Sequence, residues 1–155
     1  MTGWVTLAGG DTAFRTIKYR LTHVTPTGTA VSVSLNGGSL APGGVTVTFD
    51  TVTTAGATLL EGSSIGPPPR GFTFGSSSPV YFDIGTTAAG AGSIGYCVNY
   101  SDVPIASPED QLRLFQFEST GGDWLDVTIS QDLTSHVLCG ESPSLALLAI
   151  GVRTP

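Results

Sequence analysis

Apolar side chains recur at every second residue along much of this chain, a period that suits a pleated strand and not a helix. Val31, Val33 and Leu35 alternate with Ser32 and Ser34, and Val45, Val47 and Phe49 alternate with Thr46, Thr48 and Asp50. Ile94, Tyr96, Val98 and Tyr100 alternate with Gly95, Cys97 and Asn99. Each run places one set of side chains on a core and the other toward solvent or a partner. Threonine suits the outer set, because β-branched side chains pack well on a pleated surface. Further strands are expected over residues 14–21, 71–74, 80–87, 112–118, 124–129 and 145–152, with 2–7 and 55–60 as additional candidates. Asn36-Gly37-Gly38, Pro42-Gly43-Gly44, Pro67-Pro68-Pro69 and Gly121-Gly122-Asp123 are the turn signals between them.

Short strands separated by such turns predict an all-β chain. The expected fold is an antiparallel β-sandwich, Ig-like or jelly-roll-like, of roughly eight to eleven strands. Helix is limited to one short turn at Ser107-Pro108-Glu109-Asp110-Gln111. There Ser107 would cap, Pro108 would take the first helical position, and the two acids would favour the positive end. Residues 61–66 run into three prolines and are expected to cross between sheets in extended form. The 155 residues fit a single domain. Residues 1–40 would form a semi-separate strand or hairpin element, hinged at the glycines of 37–44. Tyr96 and Tyr100 share parity with Ile94 and Val98 and belong to the core, while Trp124 should pack under the turn before it.

Charge narrows the partners. Lys and Arg total 6 against 12 Asp and Glu, a net charge of −6, and only Arg15, Lys18 and Arg20 lie close together. Nucleic acid and anionic membrane surfaces both demand a basic footprint, so neither is an expected partner. No apolar run approaches the length of a membrane-spanning helix. The N-terminal Met1-Thr2-Gly3-Trp4 carries neither the basic nor the apolar region of a signal peptide. Low Lys and Glu with abundant Thr, Ser and Gly points instead to a piece of a longer exported protein. Its expected place is outside the cell or at the cell surface.

Catalytic chemistry is thin. The two histidines, His23 and His136, have no carboxylate or nucleophile at an informative spacing. Asp102, Glu109, Asp110, Asp123 and Asp126 read as solvated loop acids rather than as a glycosidase pair. Calcium would suit such oxygens, but no Asp-x-Asp-x-Asp loop occurs, and no cofactor or metal is expected. Cys97 and Cys139 both sit in strand patterns; one disulfide suits the exported composition, and two buried free thiols are the alternative. Trp4 and Trp124 are the candidate platform for stacking on sugar rings. Asn99-Tyr100-Ser101 matches a glycosylation sequon, which inside a strand reads as chance.

Several blocks recur in a known order. They are the segment from Val45 to Gly56, Pro67-Pro68-Pro69-Arg70-Gly71-Phe72, Tyr81-Phe82-Asp83-Ile84-Gly85-Thr86-Thr87-Ala88, and Gly92-Ser93-Ile94-Gly95-Tyr96-Cys97-Val98-Asn99-Tyr100. Leu112-Arg113-Leu114-Phe115, Trp124-Leu125-Asp126-Val127-Thr128, and Cys139-Gly140 ahead of Ser144-Leu145 complete the series. Over residues 45–150 the chain resembles the all-β accessory modules at the C-terminal ends of large exported bacterial surface proteins. The resemblance implies a non-catalytic module beside adhesion or repeat regions, and a Cys97–Cys139 pair fits it. The chain departs from that pattern at Phe115-Gln116-Phe117-Glu118, which lacks a histidine, and at the more aliphatic Ala146-Leu147-Leu148.

The expected function is therefore structural or adhesive. Trp4, Val5, Thr6 and Leu7 would add as a strand to an open sheet edge, making a second copy or a neighbouring domain of the same surface protein the expected partner. The alternative is a carbohydrate-binding module with a glycan partner.

Overall fold

The computed structural model describes residues 2–6, 12–16, 22–36 and 43–155. Among them, fourteen strands and one 3₁₀ turn account for the regular structure. A hairpin, β1 (Thr2–Thr6) with β2 (Thr12–Thr16), is a sheet of its own. The chain then builds β3 (Thr22–Thr25), β4 (Gly28–Leu35), β5 (Val45–Thr54), β6 (Gly56–Ser63), β7 (Phe72–Phe74) and β8 (Tyr81–Thr86). It continues with β9 (Ala89–Asn99), β10 (Arg113–Glu118), β11 (Asp123–Asp126), β12 (Thr128–Asp132), β13 (Val137–Ser142) and β14 (Leu147–Arg153).

Two antiparallel sheets pack as a sandwich. One is seven-stranded, in the order β11-β10-β14-β8-β6-β3, with β7 also paired to β14. The other is five-stranded, in the order β12-β13-β9-β5-β4. The period-two runs explain the core between them. Val31, Val33, Val45, Val47, Phe49, Tyr96, Val98 and Leu138 point inward from the smaller sheet. Leu60, Phe82, Ile84, Leu114, Leu148 and Ile150 meet them from the larger one. Tyr96 and Tyr100 are buried in this core, as their parity requires. Burial raises the pKa of Tyr96, partly opposed by its hydrogen bond with Ser142. The Tyr96 hydroxyl and Ser142 Oγ lie 3.1 Å apart, and Gln116 Nε2 donates to Ser144 O at 3.0 Å. At the other end of the core, buried Thr25 bonds Thr58 at 2.6 Å, and Thr58 bonds Thr86 at 2.9 Å. Paired hydroxyls avoid the cost of burying a lone polar group.

Cys97 and Cys139 are direct cross-strand partners of β9 and β13 and form a disulfide. Neighbouring outward hydroxyls form a ladder: Ser32 bonds Thr48 at 2.8 Å across β4 and β5.

The fold departs from the sequence expectation at several points. Strand 124–129 is two strands, because Val127 is where the chain leaves the larger sheet for the smaller one. Its N–H donates to Leu114 O of β10 at 2.9 Å, and its carbonyl accepts from Glu141 N of β13 at 3.0 Å. Asp126 braces that corner, accepting from Thr128 N at 3.0 Å and from Arg153 Nε at 2.9 Å. Residues 61–66 do not cross between sheets: β6, β7 and β8 share one sheet, and the proline segment doubles back over its outer face. Within the first forty residues β1 and β2 form a two-stranded sheet of their own, whereas β3 and β4 belong to the two large sheets, and the expected hinge at 37–42 lies outside the described residues. Of the expected strand 14–21, β2 covers up to Thr16, and 17–21 lie outside the described residues. The 3₁₀ turn, Glu109–Gln111, has no side-chain cap, and Pro108 precedes it as its cap residue instead of entering it.

Two consequences are measurable. Burial pushes the Asp126 carboxyl up, but bonds from Thr128 and Arg153 outweigh it and hold the pKa below its ordinary value. A depressed carboxylate stabilises the fold above the unfolded pKa and loses that contribution as pH falls through the folded one. Asp126→Asn should therefore melt lower at pH 7 and flatten the decline of stability below about pH 4, read by thermal melts across pH. The disulfide joins residues 42 apart in sequence. Replacing both cysteines by serine should cost up to about 4 kcal/mol in urea unfolding.

Candidate functional site

A sheet offers a partner its edges or its faces, and edges are where an all-β protein is most exposed to unplanned pairing. Four strands end the two large sheets. Both edges of the seven-stranded sheet are short: β3 and β11 have 4 residues each, and β11 carries Asp123 and Asp126. In the smaller sheet, β12 ends on Asp132 and has a register shift between Thr128 and Ser130. These are the usual devices against edge-to-edge association. β4 is different. Its 8 residues, Gly-Thr-Ala-Val-Ser-Val-Ser-Leu, include no charge and no proline. Val31, Val33 and Leu35 face the core while Ser32 and Ser34 face out, so the strand is held in a firm register. Its only pairing partner among the described strands is β5. One irregularity interrupts it: Ala30 has φ of 50°, in the left-handed region. The unbroken ladder on β5 is Val31 to Leu35.

Trp4, Val5 and Thr6 lie in β1, in register with Phe14, Ala13 and Thr12 of β2, whereas Leu7 lies outside the described residues. The expected single donor strand is thus one arm of a hairpin. That hairpin pairs with no other described strand.

Trp124 does not present an open platform. It is only 8% exposed, enclosed by Phe72, Tyr81 and Phe117. Its cover is the proline segment: Trp124 Nε1 donates to Pro68 O at 3.1 Å. A cleft of about 310 Å³ lies beside it, between the end of β10 and the β13–β14 connection. Gln116, Phe117, Glu118, Leu125, Glu141 and Leu145 are among its lining residues.

The histidines separate. His23 lies on edge strand β3 and is exposed. His136 meets a carboxylate that sequence spacing did not suggest, with Nδ1 2.6 Å from Glu109 Oε1 across 27 residues. The Tyr100 ring lies edge-on at 5.7 Å, and Gln131 Nε2 donates to Tyr100 Oη at 3.3 Å. Burial raises the Tyr100 pKa, and Glu109 and Asp132 push it the same way against the Gln131 bond. This group fastens the 3₁₀ turn to the β12–β13 connection; among the described residues no hydroxyl is bonded to the His136 ring. Asp132 is occupied with its own turn, accepting from Thr134 N at 2.8 Å and Ser135 Oγ at 2.6 Å. Both bonds hold its carboxyl below the ordinary range, the Ser135 hydroxyl most. Asn99 of the sequon is turned onto Ser101, whose Oγ donates to Asn99 Oδ1 at 2.7 Å. Among the described residues no three metal-ligating side chains come together, and no helix is long and apolar enough to cross a membrane.

No protein-family model, curated protein or solved structure matches this chain.

The left-handed Ala30 is a cost carried by the open edge. Glycine adopts that conformation without the Cβ penalty, so Ala30→Gly should stabilise the fold by about 1 kcal/mol. Equilibrium urea unfolding would read the gain, and a loss would mean that the alanine methyl makes a contact worth more than the strain.

Proposed function

We propose that this protein is a non-catalytic structural or adhesive module of an exported bacterial surface protein, and that it associates with further copies or neighbouring domains through its sheet edges. The observation that carries this reading is the contrast among edges: three are short, acidic or shifted in register, and β4 is long, uncharged and free of proline. An edge strand left without such devices is a template for main-chain pairing. The self-paired β1–β2 hairpin is a ready donor, since each hairpin strand has a second edge. Asp126, Asp132, Glu109 and His136 are engaged at turns and corners, which supports a non-catalytic role. The disulfide and the Ser/Thr-rich outer faces suit a place outside the cell.

One observation favours a second reading, a carbohydrate-binding module. The cleft is lined by the apolar residues Phe117, Leu125 and Leu145 together with Gln116, Glu118 and Glu141. This is the apolar-plus-polar lining that small-molecule sites use. Trp124 takes no part in it.

Light scattering over a concentration series tests both. Ordered association is expected, with its midpoint moved at least tenfold upward by Ser32→Lys with Ser34→Lys, which place charge along β4 without entering the core. Removing residues 1–16 should weaken association similarly where the β1–β2 hairpin is the donor, and leave a dimer where β4 pairs with itself. A strict monomer would defeat the association reading. If that monomer bound oligosaccharides, and Phe117→Ala abolished the binding, the carbohydrate reading would take its place.

A further inference from the structure

The outer face of the seven-stranded sheet carries a second apolar cluster, separate from the sandwich core. Phe72, Tyr81, Phe115, Trp124 and Ala149 are buried there, with Phe74, Phe117 and Leu147 packed against them. Phe72 stacks on Phe115 with centroids 4.3 Å apart and meets Trp124 edge-on at 5.2 Å. Phe74 meets Tyr81 edge-on at 5.3 Å. A side chain at Gly151 would strike the Phe72 ring, so the glycine lets that ring lie on the sheet. The rings come from β7, β8, β10 and β11, four strands of one sheet, and so they form a rigid base.

Seated on this base is the chain's own run of three prolines. Tyr81 Oη donates to Pro67 O at 2.7 Å, and Trp124 Nε1 donates to Pro68 O at 3.1 Å. Gly66 lies so close to the Tyr81 ring that a side chain there would strike it. Pro67 and Pro69 are half-buried, while Pro68 is exposed. Consecutive prolines cannot donate main-chain hydrogen bonds, and an extended polyproline conformation leaves its carbonyls free. Aromatic rings that supply flat apolar contact together with N–H and O–H donors are the natural complement of such a segment.

We propose that this aromatic face is a recognition groove for proline-rich segments of a partner polypeptide, occupied in cis by Pro67, Pro68 and Pro69. Here two successive proline carbonyls are each met by a ring donor, and the donors stand on different strands, β8 and β11. The ring base also packs with itself, Phe72 on Phe115 and Phe74 on Tyr81. The tethered segment acts as a competitor at an effective concentration on the order of millimolar, so the unmodified chain would bind a free peptide weakly.

The test uses the full chain and a labelled synthetic peptide of residues 63–71, followed by fluorescence anisotropy. Pro67→Gly, Pro68→Gly and Pro69→Gly together should vacate the groove. The variant should bind the peptide at least tenfold more tightly than the unmodified chain, and the same peptide with its prolines replaced by alanine should not bind. Adding Trp124→Phe, which removes the indole donor, should weaken binding at least fivefold. A folded triple variant that binds no better than the unmodified chain would overturn the proposal, as would equal binding of the alanine peptide. Should the triple variant not fold, the unmodified chain gives the answer by NMR: several millimolar peptide should shift the Trp124 indole N–H resonance, and an unmoved resonance overturns the proposal. A shift that instead grows with protein concentration alone would overturn the assignment to a partner polypeptide and give the groove to a second copy.

Discussion

The seven-stranded sheet is apolar on both faces, and the architecture follows from covering both. On its inner side Leu114, Leu148 and Phe82 meet the smaller sheet. On its outer side Phe115, Tyr81 and Ala149 of the same strands form the aromatic layer. Each buried ring withdraws a large apolar area from water, at roughly 25 cal/mol per Å². An uncovered layer of this kind would be an association hazard on a free surface. The covering segment therefore needs apolar bulk with few main-chain donors to bury. Three prolines meet that need, and Tyr81 and Trp124 supply the donors their carbonyls require.

The corners obey the same demand for satisfied backbone. At Val127 the chain serves both sheets at once, bonding β10 through its N–H and β13 through its carbonyl. Asp126 and Thr128 on either side of it close the remaining bonds: Thr128 Oγ1 accepts from Leu114 N at 2.7 Å. Asp132, Glu109 and Asn99 do similar service at the connections around β12 and β13. Asp126, Asp132 and Asn99 thus accept main-chain N–H bonds at places where the ladders stop.

Much of the inner core was legible because it alternates. Val31-x-Val33-x-Leu35 and Tyr96-x-Val98-x-Tyr100 announce which face is buried, and the sheet confirms it. The outer layer was less legible, although a signal existed. Residues 112–117, Leu-Arg-Leu-Phe-Gln-Phe, and 147–150, Leu-Leu-Ala-Ile, do not alternate, and a short unbroken apolar run marks a strand buried on both sides. Reading them so would have called for a cover and drawn attention to the prolines. The break at Val127 had no such signal, since residues 124–129 keep strand-like composition across it. The His136–Glu109 contact was beyond reach, because it depends on a 3₁₀ turn and a β-connection meeting in space across 27 residues. The burial of Trp124 accords with its strand pattern, but its cover comes from 56 residues away and has no local signal.

The distribution of charge bears on what kind of assembly the edges permit. Asp123, Asp126 and Asp132 stand on the edge strands β11 and β12. Pairing either edge with its own copy would bring carboxylates together, which Coulomb repulsion opposes. The uncharged β4 escapes that penalty and has two ways to pair. Two β4 strands meeting about a two-fold axis would use up both open edges and close the assembly at a dimer. A β1–β2 hairpin meeting the β4 of the next copy joins unlike surfaces, so each added copy would leave one hairpin and one edge free for the next. The same uncharged strand thus serves a closed pair or an open chain, and the choice lies with the hairpin. If the hairpin is the donor, its removal ends growth; if β4 pairs with itself, the dimer survives without it.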